Sequence, residues 1–326
     1  GSITNEDTNL AINDVTVAES AGTAIFTVTR AGVTTGSSTV VFTSADGTAT
    51  SSSDYTSNTG TLTFGAGVTS QTITVSITDD TTVESTEDFS ISLSSASGAT
   101  ITDAIGAGSI TNEDTNLAIN DVTVAENAGT AIFTVTRTGV TTGSSTVVFT
   151  SADGTATSSS DYTSNTGTLT FGAGVTSQTV TISITDDTTV ESTEDFSISL
   201  SSASGATITD AIGAGSITNE DTNLAINDVT VAENAGTAIF TVTRTGVTTG
   251  SSTVVFTTAD GTAASSSDYT SNTGTLTFGA GVTSQTITVS ITDDTTVELD
   301  ETYSISLSSA SGATITDAIG AGSITN

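Results

Sequence analysis

The strongest constraint on this chain is that it repeats itself. The stretch NLAINDVTVAE begins at Asn9, at Asn116 and at Asn223, a period of 107 residues. Residues 1–107 and 108–214 differ at four positions, Ser20/Asn127, Ala31/Thr138, Ile73/Val180 and Val75/Ile182. The third copy departs further, chiefly at Leu299, Asp300, Thr302 and Tyr303. Self-similarity at a long fixed period means that one folding solution is used again and again along a line. Repeats are expected over 9–114, 116–221 and 223–326, with 1–8 acting as the last strand of a preceding repeat. GSITN opens the chain and recurs at 322–326, so both ends fall at the same phase and the chain reads as three periods of a longer array.

Within one unit the hydrophobic period is two. Leu62 and Phe64 alternate with Thr; so do Ile73, Val75 and Ile77, and Phe89, Ile91 and Leu93 alternate with Ser. Such runs are half-buried antiparallel strands. Further runs are DVTVAE at 14–19, AIFTVTR at 24–30, STVVFTS at 38–44 and GSIT at 108–111. Seven or so short strands per unit, separated by Gly, Ser and Asp clusters, predict an all-β chain of tandem immunoglobulin-like antiparallel β-sandwiches with no helix. Arg30 shares a row with Phe26 and Val28. The strand is therefore expected to leave the core near Arg30, with the guanidinium meeting a carboxylate as a structural counter-ion.

Charge narrows the function. The chain has 36 acidic residues against 3 basic ones, a net charge of −33, and no Cys or His. A surface so negative repels nucleic acid and anionic membranes, which bind through clustered Lys and Arg. No apolar run approaches the roughly 20 residues of a membrane span. With no His, Cys or Lys to activate a nucleophile, and three near-identical units joined end to end, the chain is not expected to be an enzyme.

The acids are unevenly placed. Glu19 ends a strand, Asp46 heads a turn, Asp79, Asp80, Glu84 and Glu87 fill the loop between two regular strands, and Glu113 and Asp114 follow the last strand. These segments can meet at one end of a sandwich. Two unit charges about 5 Å apart repel by roughly 3 kcal/mol at an effective dielectric near 20, so convergence calls for a cation. Carboxylates without nitrogen or sulfur ligands suit a hard cation, and the flexible, many-oxygen geometry favours Ca²⁺ over Mg²⁺.

The ordered set VAE at 17–19, the R-x-G of TRAG at 29–32, DGTA and SDY within 46–55, GTLTF at 60–64, ITVSITDD at 73–80, Glu84 with Glu87, and a closing ITNED resembles the Calx-β domain, and does so over essentially the whole of every repeat. The resemblance implies an immunoglobulin-like sandwich with a calcium cluster at one end. The positions it implies as ligands are Glu19, Asp46, Asp79, Asp80, Glu84, Glu87, Glu113 and Asp114, with a main-chain carbonyl from Thr82. In the second repeat they are Glu126, Asp153, Asp186, Asp187, Thr189, Glu191, Glu194, Glu220 and Asp221. In the third they are Glu233, Asp260, Asp293, Asp294, Thr296, Glu298 and Glu301, without the closing pair. Asn112 stands where the family's closing run has a further acid, which implies fewer ions or weaker binding.

The expected role is a calcium-binding structural spacer in a long extracellular fibre or bacterial surface adhesin, its partners being neighbouring repeats of the same chain. Calcium would stiffen the joints, with Asn120 or Asp121 of the following unit reaching the same cluster. Near identity of the copies suits a stalk, since modules that recognise different ligands need different loops. Two alternatives stay open: an adhesive module that itself binds a glycan or surface, and a matrix filament bundling by lateral self-association of Thr-rich edges that lack Lys and Pro. Neither nucleic-acid binding nor direct membrane insertion is expected.

Overall fold

A computed structural model of the chain describes residues 7–326. The strand expected over 1–8 lies largely outside the described residues. The first repeat has nine strands: β1 (Thr8–Ile12), β2 (Val15–Ala18), β3 (Thr23–Gly32), β4 (Ser38–Asp46), β5 (Thr59–Phe64), β6 (Ser70–Ser76), β7 (Glu87–Ser97), β8 (Thr100–Asp103) and β9 (Ile105–Thr111). The same nine recur 107 and 214 residues later. One sheet runs β6-β3-β1-β8 and the other β2-β9-β7-β4-β5. Alternate residues of each point inward, and Leu10, Phe26, Val28 and Val75 of the first sheet meet Val40, Phe64 and Ile91 of the second, all with no exposed surface. Phe26 and Phe89 meet edge to face across the sandwich at 5.8 Å. The period of two thus becomes one dry layer per repeat, as expected of packed sheets.

Three features go beyond the sequence reading. The run DVTVAE forms β2, but a strand not read from the sequence, β1, precedes it and lies in the other sheet. Asn13 Oδ1 accepts the N–H of Thr27 on β3, and the carboxylate of Asp14 accepts the N–H of Ala107 on β9, so adjacent residues clasp opposite sheets. Because β1 and β2 switch sheets in this way, each ends beside a parallel partner, β1 with β8 and β2 with β9, while the remaining pairs are antiparallel. A single 3₁₀ turn, Glu19–Ala21, follows β2 where no helix was expected, and Gly22 at φ 70° reverses the chain into β3.

The third feature is Arg30, which does not leave the core. It is 3% exposed. Its guanidinium donates to the carbonyls of Gly36, Thr34, Phe64 and Gly65 and to the Ser38 hydroxyl, and lies 5.6 Å from the centre of the Phe64 ring. None of these partners is a carboxylate. The reason is distance along the strand: the acids gather where β3 begins, and Arg30 is seven residues on from Thr23, about 23 Å of extended chain.

The differences between the first two repeats are absorbed locally. Ile73 and Val75 become Val180 and Ile182, and all four are buried on the same strand position for position. One methylene is lost and one gained in the same layer, the kind of volume-conserving exchange that cores tolerate. The repeats follow one another closely, since only residues 112–114 separate β9 from the first strand of the second repeat, Thr115–Ile119.

Candidate metal centre

Four segments meet at the end of the sandwich where β2, β4, β6 and β9 finish. They are the 3₁₀ turn at 19–21, the turn between β4 and β5, the irregular loop between β6 and β7, and residues 112–114. Gly22 and Ile77 join two of them through a main-chain hydrogen bond of 3.0 Å. Glu19 is 5% exposed, and its carboxylate accepts the N–H of Asp80 at 3.1 Å. Asp80 in turn accepts the N–H of Thr82 at 2.6 Å, and Asn112 accepts that of Glu84 at 3.1 Å. The irregular loop is thus held by side chains rather than by a ladder.

Two acidic groups result. Glu19, Asp80 and Asp114 each bring a carboxylate oxygen within 4.8 Å of the others, and so do Asp54, Glu84 and Glu87. The second repeat reproduces both, as Glu126, Asp187 and Asp221 and as Asp161, Glu191 and Glu194. The third keeps Asp268, Glu298 and Glu301, and a position equivalent to Asp114 lies outside the residues described. There Glu233 still accepts the N–H of Asp294 at 3.0 Å, Glu233 is half-exposed, and the Thr296 carbonyl, an expected ligand, accepts from Asn326 at 3.2 Å.

Several expected residues lie outside both groups. Asp46 is occupied by the Tyr55 hydroxyl at 2.6 Å and the N–H of Ser51 at 3.0 Å, and Asp153 and Asp260 are held in the same way by Tyr162 and Tyr269. Asp54, read from the sequence as a turn residue, stands in the group instead. The turn winds back on itself, with the N–H of Asp54 donating to the Thr50 carbonyl, and this carries the aspartate toward Glu84 and Glu87. Glu113 receives the N–H groups of Glu19 and Ser20 at 3.1 and 2.6 Å, as Glu220 receives that of Glu126. Asp79 and Asp186 add their charge to burial in raising the proton affinity of Asp114 and Asp221, but they and Asp293 belong to neither group. Asn120 and Asp121 face their own repeat: Asn120 accepts the N–H of Thr134 and Asp121 that of Ala214.

The electrostatics are those of acids crowded together. Burial foremost, and then neighbouring carboxylates, hold Glu19, Glu84 and Asp114 above their ordinary values. Glu87 is pushed up to about 7 by burial, by its hydrogen bond with Asp54 and by the charges of Asp54, Glu84 and Glu19. Glu126 and Glu194 also rise to about 7, again with burial as the first cause. No lysine exists in the chain, and the three arginines are buried among neutral partners.

The residues present fit a hard cation. Every side-chain donor in the two groups is a carboxylate oxygen, the class that Ca²⁺ and Mg²⁺ take. Asp114 Oδ2 and Asp221 Oδ2 are wholly buried with no hydrogen-bond donor, and so are Oδ1 of Asn116 and of Asn223 on the strands that follow. Asn112, in the place of a further acid, donates its amide to the Asp114 carbonyl at 3.3 Å, a cross-link that a carboxylate cannot make.

The chain is similar to several known proteins. The Calx-beta domain model matches residues 7–121, 112–229 and 220–322. The extracellular matrix organizing protein FRAS1 of Mus musculus is 30% identical over 335 residues, an alignment spanning 92% of this chain and 8% of that protein. Among solved structures, CBD12 from CALX1.2 is 25% identical over 60% of this chain and 80% of its own, with a TM-score of 0.35. The apo-form Calx CBD1 domain is 27% identical over 33% of this chain and 100% of its own, with a TM-score of 0.33.

Proposed function

This chain belongs to the Calx-beta domain family, and on that premise we propose that its three repeats are calcium-binding spacers of an extracellular fibre or surface adhesin, the cation stiffening the joint between one repeat and the next. The observation that carries the reading is the pair of wholly buried carboxylate oxygens without donors, Asp114 Oδ2 and Asp221 Oδ2. Each sits where one repeat ends and the next begins. A buried acceptor left unpaired costs about 1–3 kcal/mol, and more when charged, so a positive partner would stabilise a site of this kind.

Glu19, Asp80 and Asp114 would hold one cation, and Asp54, Glu84 and Glu87 a second. When bound, the ion neutralises the cluster and ties together segments distant in sequence. The chain's own part is to bring those oxygens together: Glu113 fixes the 3₁₀ turn, Asn112 fixes Glu84, and Asp80 fixes Thr82. Strands of eight to ten residues give a unit about 40 Å long with its loops. Outside the cell, where calcium is millimolar, affinities of about 10⁻⁴ to 10⁻³ M suffice. FRAS1 is named for organising the extracellular matrix, and no helix among the described residues is long and apolar enough to cross a membrane. Catalysis forms no part of this reading.

The test is thermal unfolding of the three-repeat chain in EDTA, in millimolar magnesium and in millimolar calcium, with small-angle scattering on the same samples. Calcium should raise the melting temperature and lengthen the particle, since a ligand at 100 times its dissociation constant contributes about 2.7 kcal/mol per independent site. If neither quantity responds specifically to calcium, the spacer reading fails.

A further inference from the structure

The acid loop does more than carry carboxylates, because one of its apolar residues touches the next repeat. Val83 lies between Thr82 and Glu84, and both neighbours are held through their main-chain N–H groups, by Asp80 and Asn112. Its side chain faces Gly139, which ends the β3-equivalent strand of the second repeat. A methyl group placed on Gly139 would come within 2.7 Å of Val83 Cγ2. Val190 faces Gly246 in the same way at the second joint, at 2.8 Å. Gly139 and Gly246 have φ of 85° and 84°, and a side chain there would first meet the main-chain carbonyls of Asp114 and Asp221, so the backbone requires glycine and its bareness also leaves room for the valine.

The chain contains its own control. Val297 is the same residue at the same point of the third loop, where no following repeat lies among the described residues, and it is 90% exposed, whereas Val83 and Val190 are half-buried. The contact is therefore a property of the joint and not of the loop. Gly139 is also anchored, since the next residue, Val140, donates its N–H to the Asp114 carbonyl at 2.8 Å and accepts from the Thr115 hydroxyl at 2.6 Å. The seat is thus fixed to the linker and the latch to the acid loop.

We propose that Val83 and Val190 are joint latches: each locks the following repeat by seating on its glycine, so that the order of the acid loop sets the angle between repeats. The partner surface is the leading end of another repeat with glycine at the Gly139 position. What orders the loop rests on the calcium reading; the seating itself does not. Adjacent domains move freely by default unless an interface holds them, and three linker residues alone allow bending.

The chain has no cysteine, so pairs of introduced cysteines can carry spin labels cleanly across either joint. Distances across each joint are measured by pulsed electron resonance, with calcium affinity and melting temperature taken on the same proteins. Val83→Ala should broaden the distribution across the first joint about twofold and leave the second unchanged, as expected when a domain contact is lost. Val190→Ala should do the reverse, and Val297→Ala should alter neither. Val83→Ile, which keeps the β-branched seat, should retain the narrow distribution. All four should keep the melting temperature and calcium affinity of the unaltered chain. Unchanged width across the first joint in Val83→Ala overturns the latch. A parallel set in EDTA separates the two readings: if the unaltered chain stays narrow there while Val83→Ala broadens, the latch stands and calcium control of the joint falls.

Discussion

The two ends of each sandwich treat charge in opposite ways. Arg30 and Glu19 are buried alike, 3% and 5% exposed. At the arginine end the cation is met by carbonyls, a hydroxyl and an aromatic face, all supplied by the chain. At the acid end the charges all have the same sign, and buried oxygens lack donors. Arg30 Nε is also buried without an acceptor, so neither burial nor one unpaired atom marks a binding site; what sets the acid end apart is several like charges gathered with no opposite charge beside them. One end answers its charge largely with the chain's own groups, and the other is the end proposed to take a cation.

The largest expected effect is on the arginine end. Arg30→Met removes the donor from several buried carbonyls and should lower stability by about 3 kcal/mol or more, equally in EDTA and in calcium, as read by urea unfolding. A loss confined to one condition would break the contrast between the ends.

At the acid end the paired substitutions Asp54→Asn and Asp46→Asn sharpen it. Asp54 lies in an acidic group while Asp46 is spent on Tyr55. By calorimetry, Asp54→Asn should weaken calcium binding about tenfold, equivalent to about 1.4 kcal/mol. Asp46→Asn should leave the affinity nearly unchanged and cost about 1 kcal/mol of stability through its hydrogen bond. Equal losses of affinity would return Asp46 to the ligand set.

A similar contrast separates the third repeat from the first two. Tyr303 replaces Phe89 and Phe196 in the core, and its hydroxyl is buried without a partner. Tyr303→Phe should stabilise the third repeat by about 1–2 kcal/mol, seen as a later final phase in thermal unfolding.

The smallest effect is on pH dependence. Glu87, Glu126 and Glu194 rise from an ordinary 4.5 to about 7, so between those values the folded chain binds more protons than the unfolded one. In EDTA, stability should therefore be greatest on the acid side and fall as pH rises through about 4.5 to 7, by a few degrees in Tm. Saturating calcium, by favouring the ionised form, should flatten or reverse that slope. A melting temperature that rises with pH in EDTA would mean the cluster is not repulsive.

Much of this was legible along the chain. The period of 107 marked the repeats, and Ile73, Val75 and Ile77 or Phe89, Ile91 and Leu93 announced their buried face by alternation alone. The acid end was legible as a crowding of carboxylates without cations. The strand β1 was not, because Leu10 and Ile12 make too short a run to announce a strand by alternation, and the switch of sheet at Asn13 and Asp14 acts only through partners on β3 and β9. Asp54 was missed because distance along the chain does not say which acid of a turn winds back toward a loop thirty residues away; the signal available was the Ser/Thr-rich turn before it, whose residues close on themselves. Arg30 was misplaced because its row was read correctly but its partners were assumed to be acids.

By itself, the sequence determined the repeat, the β-sandwich and the chemistry of the clustered oxygens, because periodicity and composition are properties of the chain before it folds. Only the tertiary structure decided which carboxylates share a space, that Arg30 meets carbonyls rather than carboxylates, and that Val83 rests on Gly139. Those are contacts between segments brought together by the sheets, and their distances depend on where strands end and which way turns close rather than on the order of residues.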